Sequence, residues 1–75
     1  MMVRPTKVTN SIRSVREAAG MTQAEVARRV GVTRQTLIAI EQGRYSPTLE
    51  LAFQLARVFD ARLDDLFHYP DSPED

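Results

Sequence analysis

Seventy-five residues provide for one small domain, close to the lower size at which a single hydrophobic core folds alone, and no second catalytic or ligand-binding domain is expected. With 43% hydrophobic and 27% charged residues and no run approaching ~20 apolar residues, the composition excludes general disorder and a helical membrane span. Ten basic against ten acidic residues give a formal net charge of zero, which over the whole chain argues against a nucleic-acid partner.

Divided along the chain, the balance changes. Residues 1 to 44 carry eight basic groups against three acids, a net +5, and residues 45 to 75 carry two against seven, a net −5. One end of the molecule is suited to a polyanion and the other is not. There is no cysteine, so disulfides, a thiolate nucleophile and a Cys-based zinc site are excluded. The first ten residues lack the apolar stretch of a signal peptide, and a cytoplasmic location is expected.

Residues 1 to 9 show no periodicity and contain Pro5; they are expected to form a flexible basic arm, with Arg4 and Lys7 either solvated or reaching a minor groove. Thr9, Asn10 and Ser11 are helix-capping types, and Ile12, Val15 and Ala19 recur with helical spacing up to Gly20, which predicts a first helix over 10–19. Thr22 and Glu25 make a capping box, so a second helix starts at Gln23, buries Val26, Ala27 and Val30, and stops at Gly31. Thr33 caps a third helix that runs to Gln42 and ends before Gly43. After a loop with Pro47, a fourth helix from Leu49 presents Ala52, Leu55, Ala56 and Phe59 on one face. A short fifth helix over Leu63–Phe67 closes the core, and residues 70 to 75 make an acidic, disordered tail. No segment reads as a strand.

Two short helices joined by a Gly-containing turn, Gln23 to Gln42 with Gly31-Val32-Thr33 between them, form a helix-turn-helix. Such a unit needs a second helix with a packed inner face and a small or polar outer one. At about 100° per residue, Leu37 and Ile40 face inward, while Gln35, Ala39 and Gln42 face outward, flanked by Ile38, Arg34 and Thr36. Gln suits adenine, Arg suits guanine and apolar groups suit the thymine methyl, but an uncharged outer face serves a protein partner equally well.

The segments Thr22-Gln23-Ala24-Glu25-Val26-Ala27, Gly31-Val32-Thr33, Ile40-Glu41-Gln42-Gly43-Arg44 and Ser46-Pro47-Thr48-Leu49 together resemble the phage repressor and Cro, or XRE, family of helix-turn-helix regulators over about residues 10 to 68. The resemblance implies an all-α, five-helix DNA-binding domain, here 10 to 69, that acts as a homodimer on a palindromic operator in double-stranded DNA. It implies base reading by Thr33, Arg34, Gln35, Ile38 and Ala39, and phosphate contacts by Gln23, Arg13, Thr36 and Arg44. Ile38 and Ala39 depart from the longer polar groups common there, which leaves the recognised sequence open. Transcriptional repression is the expected activity; a protein-interaction module such as an antitoxin or adaptor is the alternative.

Glu41 on the inner edge of the third helix and Arg16 on the facing edge of the first predict an ion pair, which the resemblance also suggests. Large apolar residues in excess of what so small a core hides place Phe59, Leu66, Phe67 and Tyr69 at a dimer interface. His68 stands beside no nucleophile, and Asp64 and Asp65 suit the first turn of a helix. Accordingly no enzyme activity, metal, cofactor, membrane or small-molecule substrate is expected.

Overall fold

A computed structural model describes residues 6–44 and 46–70. The outer part of the arm, including Arg4, the acidic tail from residue 71 and Tyr45 lie outside the described residues. In chain order the elements are β1 (Thr9–Asn10), α1 (Ile12–Ala18), α2 (Gln23–Val30), α3 (Arg34–Glu41), α4 (Leu49–Val58), α5 (Leu63–Leu66) and β2 (Phe67–His68). Five helices match the expected class.

Three helices begin on a threonine whose hydroxyl accepts a backbone N–H three residues on: Thr22 from Glu25, Thr33 from Thr36 and Thr48 from Leu51, each at 3.1 Å. The side chain satisfies a donor that the first turn leaves without an intrahelical partner, worth about 1 kcal/mol per cap. Glu25 also accepts from the Thr22 N–H at 3.4 Å, completing the capping box. At the other end of α2, Gly31 adopts φ 76°, a left-handed conformation, and the Val32 N–H turns back to the Ala27 carbonyl at 3.0 Å. That reversal makes the tight turn into α3.

Every helix contributes a fully buried side chain to one core: Ile12 from α1, Val26 from α2, Leu37 and Ile40 from α3, Leu55 from α4 and Leu66 from α5. α2 and α4 pack across the centre, and α3 is held against α2. α3 therefore rests on a packed base formed by the other helices.

Three expectations need correction. First, two strands are present: Thr9 pairs with His68 and Asn10 with Phe67 in an antiparallel register, and the Ser11 N–H extends the ladder to the Leu66 carbonyl at 2.8 Å. The inner end of the arm is thus tied to the end of the helical body, and Thr6 adds a hydroxyl contact to Ser46 at 2.6 Å. Second, α1 starts at Ile12, not Asn10, because Asn10 belongs to the strand. Its side chain works from there, with Oδ1 accepting from the Ile12 N–H at 3.1 Å and Nδ2 donating to the Ile40 carbonyl at 2.8 Å. Ala19, expected on the inner face, follows α1 and is exposed. Third, Leu66, assigned to a dimer interface, has 0% exposure within one chain. Its side chain packs into the core, beside the β1–β2 pair whose second strand follows it in the chain, and leaves no Leu66 surface for a second subunit.

Candidate nucleic-acid interface

α1, the start of α2 and α3 enclose an open cleft of about 630 Å³ lined by Arg13, Arg16, Gln23, Arg34, Ile38 and Glu41 among others. At its base Arg16 Nε donates to Glu41 Oε2 at 2.8 Å and Nη2 to Oε1 at 3.4 Å, while Nη1 donates to the Met21 carbonyl at 3.0 Å. The two side chains are only 10% and 4% exposed. A charge this buried is tolerable because the two are paired and, among the described residues, no buried side-chain nitrogen or oxygen is left without a hydrogen-bond partner. The pair bolts α1 and the α1–α2 turn to the C-terminal end of α3.

Gln23 continues the arrangement outward. Its Nε2 donates to Glu41 Oε1 at 3.2 Å, and its Oε1 accepts from Arg34 Nη2 at 3.2 Å. This inward role of Gln23 was not legible in the sequence, where it figures as a phosphate contact only. Its one signal was position: Gln23 and Arg34 are the first residues of adjoining helices.

The other expected contact residues divide into two groups. Arg13 lines the cleft, is exposed and pairs with Glu17 at 3.3 Å. Ile38 also lines it, half-buried. Thr33, Gln35, Thr36, Ala39 and Arg44 lie outside the cleft lining. The Thr33 hydroxyl caps α3 and stands 3.0 Å from that of Thr36. Gln35 is exposed in the first turn of α3, and Ala39 is half-buried, its carbonyl accepting the Arg44 N–H at 3.0 Å. The Arg44 side chain reaches Gln42 at 3.4 Å and remains exposed. Arg28 and Arg29 are exposed on α2.

Away from the cleft, Phe59 and Phe67 are half-buried against the core and Tyr69 is 65% exposed. The sequence reading missed two exposed apolar side chains at the start of α4, Leu49 and Phe53; Phe53 falls off the Ala52, Leu55, Ala56 face, which was the available signal. His68 is exposed with Nε2 3.2 Å from the Ser11 hydroxyl. Among the described residues no group of three metal-ligating side chains occurs, and no helix is long and apolar enough to cross a membrane.

A helix-turn-helix family model, HTH_3, matches residues 12–66. The chain belongs to the XRE helix-turn-helix family of DNA-binding transcriptional regulators. Among the XRE-family relatives, an HTH-type transcriptional regulator of Archaeoglobus fulgidus is 52% identical over 60 residues, covering 80% of this chain and 86% of the relative. The cryptic phage CTXphi transcriptional repressor RstR of Vibrio cholerae is 34% identical, covering 77% of this chain and 52% of the repressor. Among solved structures, the restriction-modification controller protein C.AhdI of Aeromonas hydrophila superposes with a TM-score of 0.67 at 26% identity, over 72% of this chain and 82% of the controller. The XRE family is not a class of enzymes.

Proposed function

We propose that this XRE-family protein is a sequence-specific regulator that binds double-stranded DNA as a homodimer on a palindromic operator, in the cytoplasm, and represses transcription by occluding a promoter. Residues 10–69 form the DNA-binding unit. The observation that carries the reading is the placement of Arg34: it is the first residue of α3, exposed, and held at the mouth of the cleft by Gln23. A guanidinium fixed at the start of a recognition helix is suited to bidentate pairing with guanine O6 and N7. Beside it Gln35 offers both a donor and an acceptor to adenine, with Thr33, Ile38 and Ala39 completing the reading set. Arg13, Gln23, Thr36 and Arg44 meet the phosphates on either side. Repression draws its support from the phage repressor among the relatives.

Selection of duplexes from random sequence, followed by fluorescence anisotropy, tests this. The expected result is an inverted repeat whose half-sites are centred about 10 bp apart, with affinity that falls steeply as salt rises. Equal binding to every duplex, or none, would overturn the reading and leave α3 as a protein-binding face.

A further inference from the structure

Two of the large hydrophobic side chains left exposed lie one turn apart on α4: Leu49 at 67% and Phe53 at 55%. Beside them opens an apolar groove of about 300 Å³ whose lining includes Val8, Pro47, Ala52, Leu63 and Phe67. The same helix carries Glu50 and Arg57, both exposed. At about 100° per residue, Glu50, Phe53, Gln54 and Arg57 share one arc of roughly 100°, on the side opposite the buried Ala52, Leu55 and Ala56. Ion pairs between described residues are Arg13–Glu17, Arg16–Glu41 and Arg62–Asp64, and neither Glu50 nor Arg57 takes part in one. The helix dipole accounts for an acid in the first turn of α4 and a base in the last. It does not account for a phenylalanine standing in water between them.

We propose that this face of α4 packs antiparallel against α4 of a second copy of the chain. The inference rests on the homodimer reading above and supplies the surface it uses. Positions 50 and 57 are equidistant from the midpoint between Phe53 and Gln54. A two-fold axis through that midpoint therefore sets each Glu50 opposite Arg57 of the second copy, and does so twice. The surface is complementary to itself, as an isologous contact requires. It removes Phe53 of both copies from water, and a parallel alignment is penalised because it would bring like charges together. The interface thus centres on α4, with Tyr69 at most peripheral.

Sedimentation equilibrium on the full chain, with the same variants assayed on a full operator and on a half-site, tests the pairing. Glu50→Arg and Arg57→Glu each place like charges across the axis and are expected to raise the dimer Kd at least about tenfold, whereas the double variant, with the charges exchanged, returns it to within about threefold of the parent. Phe53→Ser is expected to weaken the dimer without changing any charge. All three positions are on the surface, so circular dichroism melting curves stay close to the parent and half-site binding is retained. A dimer indifferent to these changes, or single variants that the exchange fails to rescue, would overturn the α4 pairing and leave the homodimer intact. A parent that remains a monomer at every concentration while still selecting a DNA sequence would overturn the pairing and the homodimer together, but not DNA recognition.

Discussion

Gln23 gives its side-chain N–H to Glu41 and its oxygen to Arg34, both at 3.2 Å. The direction follows from chemistry: an ionised carboxylate only accepts, so the amide must turn its nitrogen inward and its oxygen outward. The outward oxygen can only accept, and a guanidinium can only donate. A buried ion pair between α1 and α3 therefore sets the posture of an exposed arginine at the start of the recognition helix, through one intervening glutamine.

Removing the carboxylate should be costly. In Glu41→Ala the Arg16 guanidinium keeps its bond to the Met21 carbonyl but loses its counter-charge at a site where its side chain is 10% exposed. The expected loss is about 3 kcal/mol, seen as a lower urea midpoint with an unchanged slope. Glu41→Gln, which still accepts from Arg16, should lose less. A midpoint equal to the parent's for Glu41→Ala would mean that the pair contributes nothing.

Arg34→Ala should weaken operator binding by about 1 to 3 kcal/mol and relax the preference at one base pair per half-site. Gln23→Ala should also weaken it, both by removing its own phosphate contact and because Arg34 must then be ordered at the moment of binding. Because the two touch, a double-mutant cycle on binding should give a coupling of at least about 0.5 kcal/mol. Strict additivity would show that Gln23 does not position Arg34.

The local features of this fold were legible because they are local. Thr22 and Thr33 announce helix starts by a hydroxyl bonded within one turn, and Gly31 announces a stop by its freedom at positive φ; the matching cap at Thr48 was read only as loop. The pairing of Thr9–Asn10 with Phe67–His68 was not legible, since two-residue strands carry no alternation and their partners are separated by nearly the whole chain. Leu66 was misplaced. The fifth helix was expected both to close the core and to offer Leu66 to a second subunit, and the complete burial of Leu66 beside the strand pair leaves only the first role. At the site, helical spacing put Glu41 and Arg16 on facing edges. It could not show that Gln23, from a third helix, would reach the same carboxylate.

Salt dependence separates the phosphate contacts from the base contacts. Arg13 and Arg44 are exposed and held only by surface partners, Glu17 at 3.3 Å and Gln42 at 3.4 Å, which water can replace at little cost when DNA arrives. Each substitution to alanine should reduce the slope of log K against log salt by about 0.9 per contact and weaken all duplexes alike. An unchanged slope would remove that arginine from the interface.

Leu66→Ala distinguishes a core residue from a subunit contact. Leu66 is fully buried among Ile12, Leu55 and their neighbours, and its carbonyl accepts the Ser11 N–H that begins α1. Truncation removes apolar contact and leaves a cavity that α5, pinned by β2, cannot collapse to fill. The expected cost is about 2 to 5 kcal/mol in unfolding free energy. For a core residue the same loss should persist in a background already made monomeric by Glu50→Arg, whereas a loss arising at a subunit contact would vanish there. Measuring urea unfolding of both backgrounds at low and high protein concentration makes the comparison, and a cost confined to the dimeric background would return Leu66 to the interface.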